Sequence, residues 1–141
     1  MKEDLKCENR NHDWAVLFLR LALAFILVFH GYGKLFGTAP GMEGFIGFVT
    51  KLGFPLPVVM AYAVAILEFF GGLAIAAGVF TKYVSWLVTI QFAIILLYVK
   101  KLAFPGADVD LLVFAIALAL ALGGSGGYSC DAKMAMKKAK N

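Results

Sequence analysis

The sequence predicts an all-α membrane protein, a four-transmembrane-helix bundle with a short interfacial helix between helices 1 and 2. Of the 141 residues, 62% are hydrophobic and only 16% are charged, whereas a soluble domain is about half apolar and about a quarter charged. The apolar residues lie in long runs, and stretches rich in glycine, proline or charge separate these runs. At this length, one compact bundle is the expected domain organisation.

The first predicted helix covers residues 14–36, with Arg20 near its start and the sequence HGYGK, residues 30–34, near its end. Its roughly 23 residues reach about 34 Å, which is enough to cross the ~30 Å apolar core of a bilayer. Residues 1–13 predict a polar N-terminal tail, followed by Trp14 as an interfacial anchor. We do not expect a cleaved signal peptide, because the run is longer than a signal-peptide core and contains an arginine.

Glycine and proline interrupt residues 37–55, so the first helix cannot continue through them. Five apolar residues between these breakers fall largely on one helical face: Phe45, Ile46, Phe48, Val49 and Leu52. The segment is too short to span a bilayer, and it predicts a short interfacial or re-entrant helix.

The second, third and fourth helices are predicted at residues 56–80, 83–99 and 109–124. Glu68 lies almost at the centre of the second helix, and Gln91 lies near the middle of the third. The fourth run is the shortest. It reaches spanning length only with the turn that contains Asp110 or with the glycines that follow the run.

The membrane domain predicted from these helices covers residues 14–128, and residues 129–141 form a basic C-terminal tail. Four crossings place both termini on one side of the membrane, together with most of the basic residues: Lys2, Lys6, Arg10, Lys82, Lys133, Lys137, Lys138 and Lys140. The other side carries Lys34, Lys51, Lys100 and Lys101. The positive-inside rule therefore predicts a multi-pass protein of the cell (inner) membrane with both termini in the cytoplasm.

Four polar residues in or beside the predicted spans form a candidate intramembrane polar site: Arg20, His30, Lys34 and Glu68. From the cytoplasmic surface, Arg20 lies about 10 Å deep, Glu68 about 18 Å and His30 about 24 Å. A buried charge needs a partner, so we expect Glu68 to pair with Arg20 or with His30. The alternative for Arg20, and for Lys34 near the far interface, is that the side chain extends to the lipid headgroups.

Helical periodicity supports an inward orientation for these residues. One face of the first helix carries Arg20, Leu27, His30, Gly31 and Lys34, within about 100° of one another. One face of the second helix carries Ala61, Ala65, Glu68, Gly72 and Ala76. Small residues let helices approach closely, so the glycines and alanines of these two faces are predicted packing positions.

Three further polar residues are secondary candidates for the site: Gln91, Asp108 and Asp110. We expect Gln91 to form a hydrogen bond between helices. Asp108 and Asp110 are expected to cap the fourth helix, where the helix dipole favours negative charge. Both lie on the same side of the membrane as His30 and Lys34, which would allow a polar cluster near the outer leaflet.

The residue pattern argues against several kinds of function. Cys7 and Cys130 form no CxxC pair, so thiol–disulfide exchange is not expected. His30 is the only histidine in a predicted span, which excludes bis-histidine haem ligation within one bundle. No spacing of cysteine, histidine or carboxylate residues indicates a metal site. The net charge of +4 lies mainly in the tails and favours lipid headgroups over nucleic acid as a partner.

Five segments resemble the DoxX family, in the family's order: LFLRLALAFILVFHGYGKLFG, GFIGFVTKLGFPLP, AILEFFGG, AAGVFTKY and GGSGGYSCDA. Together they cover most of residues 14–132. The resemblance implies a prokaryotic four-helix membrane bundle, related to the small membrane subunits of a thiosulfate:quinone oxidoreductase and to oxidative-stress complexes. The signature positions that it implies are Arg20, His30, Gly31, Lys34 and Glu68.

The resulting hypothesis is a redox-associated membrane subunit in which Arg20, Glu68 and His30 bind a quinone-like ligand or relay protons. The chain supplies no redox centre of its own, so oxidoreductase activity would require a second membrane subunit, a soluble redox enzyme or a bound cofactor, with quinone as the candidate. The alternative is a non-catalytic scaffold that anchors soluble redox or oxidative-stress enzymes to the lipid bilayer, alone or as a homo-oligomer. A small-solute transporter is a weaker alternative, because the sequence shows no broken helix pair and no inverted repeat.

Overall fold

The computed structural model describes residues 2–38 and 40–138, with side chains from residue 10 onward. The described chain is helical, without strands: α1 (Lys2–Phe36), α2 (Gly41–Lys51), α3 (Pro57–Ala77), α4 (Thr81–Val99), α5 (Asp108–Gly123) and α6 (Cys130–Lys138). Within these helices, Leu67–Gly71 in α3 and Ile95–Val99 in α4 are π-helical turns. Three segments are long and apolar enough to cross a membrane: Arg10–Phe36, Pro57–Ala77 and Thr81–Val99. The all-helical membrane class is therefore confirmed.

The helix boundaries differ from the predicted ones mainly at the polar ends. Helix α1 begins at Lys2, so the polar residues before Trp14 extend the first helix instead of forming a separate tail. In the predicted basic tail, Cys130–Lys138 is helical. Residue 1 and residues 139–141 lie outside the described residues.

Helix α3 ends at Ala77, three residues before the predicted end, because Gly78 adopts the left-handed conformation with φ +71°. The Gly78 N–H donates to the Ile75 carbonyl at 3.1 Å, and the Val79 N–H donates to the Ala74 carbonyl at 2.9 Å. This pair of bonds is the Schellman motif that closes many helices. It leaves the Ala76 carbonyl without an intrahelical partner, and Arg20 donates a hydrogen bond to this carbonyl.

Helices α1 and α3 pack closely and run antiparallel. A Cβ atom built on Gly31 would lie 2.5 Å from the backbone nitrogen of Phe69, so only glycine permits this approach without displacement. Ala61, Ala65 and Gly72 on the facing side of α3 are also buried. Ala76, the fifth predicted packing position, is only half-buried.

The core lies where α1, α3, α4 and α5 meet. It contains apolar residues from all four helices: Leu23, Leu27, Ile75, Val88, Phe92, Val113, Ala117 and Leu120. Large apolar side chains also cover the outer surface, including Phe25, Tyr83 and Leu97, which are each more than half exposed. An apolar exterior of this kind suits contact with lipid chains.

Candidate intramembrane polar site

Three polar side chains from three helices meet in the bundle: Lys34 of α1, Glu68 of α3 and Gln91 of α4. The Lys34 Nζ lies 2.5 Å from Glu68 Oε2, and Gln91 Nε2 donates to Glu68 Oε1 at 2.8 Å. The Glu68 side chain is 2% exposed and Gln91 is 9% exposed, whereas the Lys34 side chain is 21% exposed. We call these three residues the polar cluster. A buried carboxylate thus has a separate partner for each of its oxygens.

The local backbone places Glu68 opposite Lys34. Glu68 lies in the π-helical turn Leu67–Gly71, a distortion that is frequent at functional sites. Gly31 brings α1 against this turn at Phe69. Lys34 follows Gly31 by one helical turn. Helical side chains lean toward the N-terminus of their own helix, so the Lys34 side chain leans back along α1 toward Glu68.

Helix α2 covers the lysine side of the polar cluster. The Lys34 Nζ lies 4.5 Å from the centroid of the Phe45 ring, a distance at which the ring face attracts a cation. The sequence had suggested Phe45 only as part of an apolar face. Lys34, as the most exposed member of the cluster, is the side chain that an entering molecule would meet first.

One buried acceptor in the polar cluster has no hydrogen-bond partner. Gln91 Oε1 is buried and makes no hydrogen bond with any of the described residues. The hydroxyls of Thr81 and Ser85, nearer the N-terminus of α4, are likewise buried and have no hydrogen-bond partner among the described residues. An unmade hydrogen bond at a buried acceptor is unfavourable, so such a group calls for a water or a ligand.

Arg20 does not form the predicted pair with Glu68. It is 1% exposed, and its guanidinium donates to four backbone carbonyl oxygens: Ile75 at 3.0 Å, Ala76 at 2.8 Å, Ser125 at 3.0 Å and Tyr128 at 2.8 Å. The prediction was wrong because it matched the depths of the backbones alone. The arginine side chain leans toward the N-terminus of α1, away from Glu68 and toward the carbonyls at the end of α3.

A second set of contacts closes the Arg20 end of the bundle. Asp131 accepts hydrogen bonds from the N–H groups of Phe80 and Thr81 at 2.9 and 3.0 Å, which caps the start of α4. The Asp131 N–H donates to the Gly78 carbonyl at 2.9 Å. Asp13 of α1 accepts from the Gly127 N–H at 2.6 Å. The segment Ser125–Asp131 therefore ties α1, α3 and α4 together.

His30 also departs from the prediction. It is exposed on the outer surface of α1, where its ring lies 6.4 Å from the Phe29 ring. On the helical wheel it lies about 80° from Arg20, at the edge of the predicted face and beyond the buried residues of that face. His30 therefore does not form the predicted pair with Glu68.

The two aspartates lie in the first turn of α5, as expected, but neither forms a side-chain cap hydrogen bond there. Asp110 lies 3.8 Å from the Lys100 ammonium, and Asp108 is exposed. The polar partner of Asp110 is thus Lys100.

The sequence offered no signal for the cap at Asp131, because Phe80 and Thr81 are far from it in the chain. Ser129 and Asp131 are residue types that favour a helix start. That signal concerns α6, where Ser129 accepts from the Ala132 N–H at 3.0 Å.

An apolar groove of about 350 Å³ lies on a different face of α1 and reaches α3 at Ala76. Its lining includes Phe25, Phe29 and Tyr32, and none of the three residues of the polar cluster. Within residues 10–38 and 40–138, whose side chains the structure describes, no group of three His, Cys, Asp or Glu residues is placed to hold a metal ion. The polar cluster lies outside this groove. It combines a carboxylate, an ammonium group and an amide.

Comparison with known proteins supports the resemblance seen in the sequence. The DoxX family model matches residues 15–101, a stretch that includes the whole polar cluster. The chain is 34% identical over 125 residues to "Putative oxidoreductase CatD" of Bacillus subtilis (strain 168), covering 87% of this chain and 89% of that protein. No solved structure matches the chain. On this family match and this relative, the chain belongs to the DoxX family of membrane proteins.

Proposed function

We propose that the protein is a redox-associated membrane subunit that binds a quinone-type headgroup at the polar cluster of Lys34, Glu68 and Gln91. The observation that carries this proposal is the buried Glu68 carboxylate, held by an ammonium group and an amide from two other helices. Ionisable residues at membrane depth are costly and are commonly functional. The name of the Bacillus relative, an oxidoreductase, supports a redox role.

The chemistry of the polar cluster suits a quinone-type ring. The ammonium of Lys34 can donate a hydrogen bond to a ring oxygen, and the Glu68 carboxylate can accept a proton or release one. Phe45 offers an aromatic face beside the lysine. A separate subunit or a bound cofactor would supply electrons, and the role of this chain would be to bind the ring and exchange protons.

In this proposal the chain crosses the cell membrane four times, and both termini lie in the cytoplasm. Helix α5 supports the fourth crossing, because it carries the chain from the Lys100 end of α4 back to Arg20, where Ser125 and Tyr128 accept hydrogen bonds. Its 16 residues reach about 24 Å, slightly less than the apolar core. Helix α2 would then lie at the outer interface, above Lys34.

The binding proposal is tested with purified protein in lipid nanodiscs, titrated under anaerobic conditions with duroquinone and with durohydroquinone. We expect the wild type to bind at least one of them. The double variant K34M/E68Q removes both charges together and leaves no unpaired ion, and it should weaken that binding roughly tenfold or more. The variant K100M, which removes a lysine from an ion pair outside the polar cluster, is the matched control and should bind like the wild type. A wild type that binds neither compound would refute the proposal, as would unchanged binding in the double variant.

The contacts of Arg20 favour a scaffold as the second candidate function. Its guanidinium is engaged by four carbonyl groups of the bundle, and α6 emerges from that end with Lys133, Lys137 and Lys138 exposed. A scaffold should keep its partner and the activity of the complex in K34M/E68Q, but should lose both in K133E/K137E. The opposite pattern, measured by co-purification from native membranes and by quinone reduction, favours the ligand-binding function.

A further inference from the structure

We infer that the polar cluster recognises the reduced, hydroxyl-bearing form of its ring ligand in preference to the oxidised form. This inference rests on the proposed function and specifies the class of ligand: a hydroquinone, with O–H donors, instead of a quinone, whose ring oxygens only accept. It follows from the hydrogen-bond donors and acceptors that Lys34, Glu68 and Gln91 offer.

The Gln91 side chain carries an oxygen without a hydrogen-bond partner among the described residues. Its Nε2 donates to Glu68 at 2.8 Å, which fixes the orientation of the amide, because only the nitrogen side can donate to a carboxylate. The Oε1 atom of the same amide is buried and has no hydrogen-bond partner among the described residues. The side chain is more than nine-tenths buried, so bulk water does not compensate this acceptor. The cluster therefore contains an acceptor that lacks a donor.

Around a bound ring oxygen, the polar cluster offers both donors and acceptors. Lys34 supplies donors, while Glu68 and Gln91 Oε1 supply acceptors. A hydroquinone hydroxyl can donate to the Gln91 oxygen and accept from the Lys34 ammonium at the same time. A quinone carbonyl can use only the ammonium, and it leaves the Gln91 oxygen without a partner. A site that offers unpaired acceptors discriminates against ligands that lack the matching donor.

Lys34 gives access to the cluster, because it is the most exposed of the three side chains. Among the residues whose side chains are described, its ammonium contacts the Glu68 carboxylate and the Phe45 ring. A lysine side chain has four rotatable carbon–carbon bonds, so on this inference the ammonium moves toward its exposed side and still donates to a ring oxygen bound beside Gln91. The hydroxyl that enters there would lie beside both Glu68 and Gln91, which are adjacent through the bond of 2.8 Å.

The test compares the affinities of duroquinone and durohydroquinone for the full-length protein in phosphatidylcholine nanodiscs under anaerobic conditions. We expect the wild type to bind durohydroquinone roughly tenfold more tightly than duroquinone, the factor that corresponds to one satisfied buried acceptor. The variant Q91M keeps similar volume and has no amide oxygen. It also removes the Nε2 donor to Glu68, a change that both ligands meet. Only durohydroquinone loses its own acceptor, so its affinity should fall more than that for duroquinone, and the preference should disappear. T89V removes a buried hydroxyl that already donates to the Ser85 carbonyl, and as the control it should keep the preference.

A second ligand keeps the test decisive if Q91M fails to fold. The dimethyl ether of durohydroquinone has the same ring but no O–H donor, so the wild type should bind it no more tightly than it binds duroquinone. Equal affinity for the quinone and the hydroquinone, tighter binding of the quinone, or a preference that survives in Q91M would overturn the inference while leaving the proposed function intact. If neither form binds the wild type, the proposed function itself fails, and the inference fails with it.

Discussion

At the scale of single residues, two basic side chains of α1 have partners other than the expected ones. Arg20 was expected to reach Glu68, and Lys34 was expected to extend toward the headgroups. Because helical side chains lean toward the N-terminus, both point the same way along α1. Arg20 therefore meets the carbonyl end of α3, and Lys34 meets the Glu68 carboxylate. One directional preference explains both corrections.

The geometry at Arg20 predicts that lysine cannot replace it. The planar guanidinium donates to four carbonyls from Nε and both Nη atoms. A lysine ammonium keeps the charge but lacks this planar arrangement of donors. We expect R20K to lower the free energy of unfolding in detergent by at least about 2 kcal/mol, since buried acceptors lose their donors. Circular dichroism during an SDS titration measures this change.

Arg10 provides the control for this substitution, because it is exposed on the same helix. R10K should stay within about 0.5 kcal/mol of the wild type. If R20K proves as stable as R10K, the four carbonyl contacts do not stabilise the fold. Ligand binding at the polar cluster should survive R20K in protein that remains folded, because no contact links Arg20 to Lys34, Glu68 or Gln91 among the described residues.

At the scale of elements, the contact between α1 and the π-helical turn of α3 positions the polar cluster. Gly31 packs on the backbone of Phe69, next in sequence to Glu68. Any increase in the distance between these two helices would move the carboxylate away from Lys34. The two glycines of the HGYGK sequence have different environments, since Gly31 is buried and Gly33 has open space around its Cβ position.

This difference predicts opposite effects for the same substitution at two nearby positions. G31A places a methyl group against the Phe69 backbone and should destabilise the protein by about 1–3 kcal/mol, the usual effect of overpacking. G33A meets no neighbouring atom and should be neutral or stabilise the helix by up to about 1 kcal/mol, the difference in helix propensity between the residues. Thermal unfolding of both variants in one detergent measures the contrast. Equal effects of the two substitutions would show that the close contact at Gly31 is unimportant for stability.

At the scale of the whole molecule, the sequence predicted the helical membrane class well, because long apolar runs leave few alternatives in a bilayer. It also identified Glu68 and Lys34 as candidates, because charges are conspicuous in such runs. The sequence also predicted that Gln91 bonds between helices, as it does with Glu68. The partners of Arg20 and Lys34 could not be predicted, since they depend on the direction of side chains and on backbone carbonyls, which have no sequence signal of their own. Arg20 illustrates this limit, because each of its four partners is a carbonyl oxygen that any residue type could supply.

The closed end of the bundle bears on the number of membrane crossings. Arg20, Asp13 and the N-terminal turn of α4 all contact the segment that follows α5. That segment therefore lies at the same end of the bundle as the first turns of the α1 span. Lys100 and Asp110 lie at the other end of α4 and α5. Residues from the two ends should thus be exposed on opposite sides of the membrane.

Cysteine labelling in cells tests this arrangement. In a C7S background, Cys130, which is exposed, should resist a membrane-impermeant maleimide until the cells are permeabilised, because both termini are proposed to be cytoplasmic. In a background without both native cysteines, K101C should be labelled in intact cells, and K82C, near Asp131 at the closed end, should be protected like Cys130. A loop with unpaired backbone groups is unfavourable within the bilayer core. Each labelled site should therefore lie on one side of the membrane or the other. Labelling of Cys130 and K101C from the same side would mean that α5 does not cross the membrane, and the chain would then have three spans.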